Sequence, residues 1–157
     1  MLTVDRITIH APLARVFDIA RNVERWPEIL PHYRWVRMLE RRPDGAGGRV
    51  EMAAWRPFGP PPLRYPAWWV SEMYIERDPR RPVIRYRHVD GITRGMDVQW
   101  LLTEAAEGVT VEIVHRWTGP TWPVVGRLAA SLVIGPVFVH GIASRTLAGI
   151  RRRAEAP

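Results

Sequence analysis

GMDVQWLLTEAAEGVTVEIVHRW, residues 95–117, carries the pattern that decides the fold class. Before Glu107-Gly108, Val98, Trp100 and Leu102 alternate with other residues; after it, Val111, Ile113, His115 and Trp117 do the same. A period of two belongs to a strand with one buried face. Glu107-Gly108 supplies turn chemistry. Strands joined by so short a connection pair antiparallel. The stretch therefore predicts two strands, 94–104 and 108–118.

The same pattern extends towards the N-terminus. Strands are predicted at 33–41, 48–56, 66–77 and 82–90, separated by Pro43-Asp44-Gly45, Asp78-Pro79 and Asp90-Gly91. Between 57 and 66, Pro57, Pro60, Pro61, Pro62 and Pro66 cannot donate to a sheet ladder, so a stiff loop is expected there. Residues 2–10 form a first strand on Val4, Ile7 and Ile9. Pro12 then suits a first helical position, and Leu13, Val16, Phe17 and Ala20 share one helix face. A short second helix, Glu24 to Leu30, puts Trp26, Ile29 and Leu30 together and ends at Pro31. The last third, 121–154, keeps helical spacing through Val125, Leu128, Leu132, Val139, Ala143, Leu147 and Ile150, with a kink or break expected at Gly135-Pro136. The prediction is one α+β domain over residues 1–157. A seven-stranded curved antiparallel sheet wraps around a long C-terminal helix, with two short helices between the first and second strands.

Composition narrows the function. The chain has no cysteine, which excludes disulfides, thiolate metal sites and cysteine nucleophiles and fits a reducing, cytoplasmic setting. Its opening residues do not read as a signal peptide. Net charge is +7, and with no lysine all 23 basic residues are arginines. They are scattered rather than gathered into the basic stripe of a nucleic-acid binder, so no nucleic-acid partner is expected. A solvated face is the first reading of these arginines. Peripheral contact with an anionic membrane, from which a greasy ligand could be collected, is the second. Residues 128–144 carry no charged side chain, but this run of 17 falls short of the ~20 residues of a spanning helix. No phosphate-cradling or dinucleotide motif appears and no two histidines have metal-ligand spacing, so no cofactor or metal is expected.

The opening ITIHAPLARVFDIARNVERWPEILPHYRWVRMLE, with Ala11-Pro12, Phe17 and Trp26-Pro27, resembles the polyketide cyclase / dehydrase and lipid transport group of the START superfamily. WVSEMYIERDPRRPVIRYRHVDG, the hairpin at 95–117 and the closing SRTLAGIRRRAEA extend that resemblance over nearly the whole chain. It implies a helix-grip fold holding a hydrophobic small molecule, such as a polyketide, an isoprenoid or quinone precursor, or a lipid, between sheet and terminal helix. Cyclase, aromatase or dehydratase activity on such a ligand is the alternative. In the aromatase/cyclase branch an arginine follows the Trp-x-Ser segment on the same face; here Met73 stands there, and Val98 stands where glycine is usual.

Strand parity assigns the inward faces. Trp69, Ser71, Met73 and Ile75 go together, as do Ile84, Tyr86 and His88; Val98, Trp100 and Leu102; and Val111, Ile113, His115 and Trp117. The expected ligand walls are Trp69, Ser71, Met73, Tyr86, Trp100, Trp117 and, on the terminal helix, Phe138. An inward histidine is read either as a hydrogen-bonded structural residue or as a proton carrier. If chemistry occurs, His115, His88 and Tyr86 are the candidates to move protons.

Overall fold

A computed structural model describes residues 1–57, 63–119 and 139–157. Strands β1 (Leu2–Ile9), β2 (Tyr33–Arg41), β3 (Gly47–Pro57), β4 (Arg64–Glu76), β5 (Val83–Gly91), β6 (Asp97–Ala105) and β7 (Gly108–Arg116) form one sheet in the order β1-β7-β6-β5-β4-β3-β2. Every pairing is antiparallel. Between β1 and β2 lie α1 (Leu13–Arg21), a 3-10 turn (Val23–Arg25) and α2 (Trp26–Ile29); α3 (His140–Glu155) ends the chain. The predicted helix 121–154 is described only over α3, so the expected kink at Gly135-Pro136 and the candidate Phe138 lie outside the described residues. Among the described residues no helix is long and apolar enough to cross a membrane.

The helices cover one face of the sheet. Leu13, Val16 and Ala20 of α1 and Ala143, Leu147 and Ile150 of α3 are buried with Ile9, Leu102, Val109 and Val111 of the sheet. α3 approaches α2 closely at Gly149, where a Cβ would lie 2.1 Å from Leu30 Cδ2. Leu30 is itself wholly buried, so glycine at 149 lets the helices meet.

Three expectations need correction. The grouping of Val4 with Ile7 and Ile9 fails at Val4, which faces solvent, and Asp5 takes the inward place. The Asp5 carboxylate is held by His140 Nδ1 at the start of α3, and burial raises its pKa above the usual carboxylate range despite that partner. The stiff loop expected over 57–66 is shorter, because β3 and β4 pair as far as Pro57 opposite Arg64. Pro66 fits within β4 because the β5 pairing stops at Trp69, which leaves that end of β4 as an edge. The strand expected from 94 begins at Asp97. Gly91 to Met96 form a turn, with φ +84° at Gly95.

Candidate functional site

Parity brings the inward residues of β3, β4, β5, β6 and β7 to a common concave surface. In register, Tyr86 lies opposite Val98, and Val98 opposite His115. Their stems therefore stand roughly 10 Å apart in one row across three strands. One residue pair along, Ser71 faces His88. Where this surface meets α2 and the start of α3, a cavity of about 60 Å³ remains.

Aromatic rings build much of its wall. Trp100 and Trp26 lie 5.4 Å apart, Trp26 and Tyr33 5.2 Å edge-on, and Tyr33 and Trp69 6.3 Å edge-on. Trp69 then stacks on His88 at 6.0 Å. The Trp26 indole N–H donates to Ile19 O at 3.2 Å, which fixes the ring. Val98, Ile113, Met52 and Met96 fill the gaps, and Val139, Ile142 and Ala143 close the helix side.

The polar members are Arg56, Tyr33, Tyr86, His88, His115, Thr93 and Thr146; no carboxylate lines the cavity among the described residues. Arg56, at the end of β3, lies 5.7 Å over the Trp69 ring. Desolvation lowers its pKa to about 10, partly offset by Tyr33, so it stays a cation at neutral pH. Burial first, and the Arg56 charge second, bring the His115 imidazole down to about 4. His88 falls to about 3, from burial first, then from His115 and Arg56. Both rings are therefore neutral at pH 7. The Tyr86 phenol is pushed well above its ordinary value by burial and by Tyr33, so it remains a donor.

Hydrogen bonds separate the fixed groups from the available ones. His88 Nδ1 is engaged with Thr93 Oγ1 at 2.6 Å. His32 Nε2 lies 3.0 Å from Thr146 Oγ1, whose own proton goes to Ile142 O at 2.8 Å. Thr146 therefore accepts from His32 Nε2–H. Two buried atoms of the cavity wall, His115 Nδ1 and Tyr86 Oη, have no partner among the described residues. Buried polar groups are nearly always paired, and one left without a partner inside a cavity marks a place for a ligand or water.

Of the sequence candidates, Trp69, Tyr86, His88, Trp100 and His115 come together on this cavity. Ser71 and Met73 are buried on the same face but do not line it. Trp117 lies past the end of β7, its indole donating to Arg94 O at 3.0 Å. Sequence reasoning passes over Arg56, Tyr33, Trp26, Thr93 and Thr146. Arg56 has a readable signal, because Val50, Met52, Ala54 and Arg56 hold the period of two. It does not stand in for an arginine at position 73: Met73 lies opposite Gly48, and Arg56 lies opposite Tyr65 at the other end of β4.

The sequence profile of the family described as polyketide cyclase / dehydrase and lipid transport matches residues 2–155. The chain belongs to this family. A Streptomyces halstedii protein named as a polyketide cyclase is 33% identical over 116 residues, spanning 73% of this chain and 95% of its own. Among solved structures, a Thermus thermophilus protein superposes with TM-score 0.77 at 20% identity, covering 98% of this chain and 97% of its own. The Zhui aromatase/cyclase of Streptomyces gives TM-score 0.71 at 20% identity over 99% of this chain and 93% of its own. These structures share the helix-grip fold of the family, with the sheet folded over the terminal helix.

Proposed function

We propose that the chain binds a polyketide-like hydrophobic molecule bearing carbonyl or phenol oxygens and guides its ring closure. The observation that carries this is the convergence of cationic Arg56, neutral His115 and the Tyr86 phenol on one aromatic cavity. Two of the three contribute atoms without a protein partner among the described residues. An apolar pocket with a few convergent polar groups is the usual form of a small-molecule site. The relatives named for cyclase activity support the same reading. The absence of cysteine is in keeping with work in the cytoplasm.

The chemistry needs no oxidant or cofactor. Neutral His115 takes a proton from a methylene flanked by two carbonyls, and Arg56 steadies the enolate. The enolate carbon attacks a second carbonyl carbon of the same chain. That oxygen, aligned by Tyr86, takes the proton back from the imidazolium, and loss of water forms the ring double bond. Holding a flexible chain folded supplies much of the acceleration. The cavity is smaller than the roughly 300–1,000 Å³ of pockets that enclose whole small molecules. Met52 and Met96 line it, and their unbranched side chains can re-pack to admit more of a ligand.

A linear poly-β-ketone thioester incubated with the protein tests this. The cyclised, dehydrated product should form faster than in buffer, with its distribution narrowed to one ring pattern, and Arg56→Met should abolish both effects. Saturable binding of a ring compound without any acceleration would leave a carrier in place of an enzyme.

A further inference from the structure

The outer face of the sheet carries a second arginine–tryptophan assembly that ligand binding inside does not use. Arg34 lies 4.7 Å over the Trp35 ring and 4.7 Å over the Trp55 ring. Arg64 lies 4.6 Å over Trp55, and Arg37 5.6 Å over Trp35. The result is an alternating ladder, Arg64, Trp55, Arg34, Trp35, Arg37, across the corner formed by β2, β3 and β4. All three arginines are exposed, and none makes an ion pair among the described residues. The nearest carboxylate in register is Glu51, opposite Arg37, and it accepts the Trp68 indole N–H at 2.7 Å. The corner therefore keeps a positive excess. Trp68 shares this face and is 38% accessible; the adjoining end of β4 also exposes Leu63 at 57% and Tyr65 at 51%, with Tyr65 on the same face as Arg56.

We infer that this corner docks on an anionic lipid bilayer. Stacking covers the faces of the guanidiniums and leaves their N–H edges for phosphate oxygens, with the side chains already ordered. Tryptophan, tyrosine and leucine beside arginine suit the headgroup boundary, where apolar bodies and polar tips are both accommodated. A nucleic acid is the poorer fit, because Trp55 and Trp35 already hold guanidiniums and offer no open platform for bases. The placement is also continuous with the cavity: Tyr65 lies directly opposite Arg56 in register. A protein that takes up a hydrophobic compound gains from resting where such compounds dissolve. Only this last argument depends on the proposed ligand reading; the surface itself does not.

Co-sedimentation of the ligand-free protein with phosphatidylcholine vesicles containing phosphatidylglycerol, against pure phosphatidylcholine, tests the inference apart from ligand binding. Binding should require the anionic lipid and weaken as salt rises. The double variant Arg34→Gln/Arg64→Gln should lower partitioning by about fivefold per arginine. A matched pair on the same convex face but further along the sheet, Arg87→Gln/Arg116→Gln, should retain most of it. Circular dichroism and a thermal melt confirm that each variant is folded. No binding to anionic vesicles at low salt, equal loss in both double variants, or tighter binding to a single-stranded oligonucleotide than to the vesicles would each overturn the inference. Failure here leaves the turnover experiment on the poly-β-ketone unaffected.

Discussion

Strand β3 takes part in arginine–tryptophan contacts on both of its faces, almost back to back. Inside, Arg56 lies over Trp69 at 5.7 Å; outside, Arg34 and Arg64 lie over Trp55 at 4.7 and 4.6 Å. The chemistry of the pair is the same and the surroundings differ. The inner guanidinium is 5% exposed, and desolvation pulls its pKa down. The outer ones sit in water, where such a contact is worth about 0.5–1 kcal/mol. Burial therefore makes the inner pair costly for the empty protein and useful to a ligand, whereas the outer pair is nearly neutral for folding.

The sharpest break comes from Trp69→Ala. Trp69 joins the ring chain to His88 and carries Arg56, so its loss should cost about 3–5 kcal/mol, read from the urea midpoint. An unchanged midpoint would mean that the inner wall is not packed as described.

The acid limb of stability comes next. His115 and His88 are neutral in the fold, with pKa about 4 and about 3, against 6.5 when unfolded. Between those values the unfolded chain binds more protons, so stability is fully present above about pH 6.5 and falls as pH drops towards 4. His115 alone accounts for about 3 kcal/mol of that fall. His115→Gln should flatten the loss measured by thermal melts between pH 7 and pH 4. A variant with the wild-type slope would remove His115 from the buried, uncharged set.

Arg56→Met separates folding from binding. The substitution removes the buried charge from the cavity wall, and a thermal melt confirms that the variant is folded. Binding of an oxygen-bearing ring ligand should weaken by at least about tenfold, since hydrogen bonds to a charged group contribute ~1.5–3 kcal/mol. On the outer face, Arg34→Gln should shift stability by less than about 1 kcal/mol. Ser71→Ala should have the smallest effect. Its hydroxyl is buried without a partner among the described residues, so removing it should be neutral or slightly stabilising in a denaturant titration.

Much of this contrast is legible in the sequence, and its gaps have physical causes. Turn residues and period-two runs place all seven strands, and adjacency alone puts only one of Trp68 and Trp69 inside; Trp69 is the buried one. Val4 misleads because β1 lies at the sheet margin, where an apolar residue can face water while Asp5 is buried against α3. Arg56 escapes notice because prolines follow it at once, and proline reads as loop. Its strand parity is clear, but charge argues for the outside. Tyr33, Trp26 and Thr146 reach the cavity from three separate elements, and no local spacing reports that meeting. Trp117 keeps inward parity, but the strand has ended and its indole turns to Arg94.

Titration with 1,8-dihydroxyanthraquinone, followed by quenching of tryptophan fluorescence, tests the inner site most directly, since Trp26, Trp69 and Trp100 line it. The wild type should show saturable quenching that weakens by at least about tenfold in Arg56→Met and falls measurably in Tyr86→Phe. Linear, non-saturating quenching of the wild type, or the same curve for all three proteins, would contradict the site.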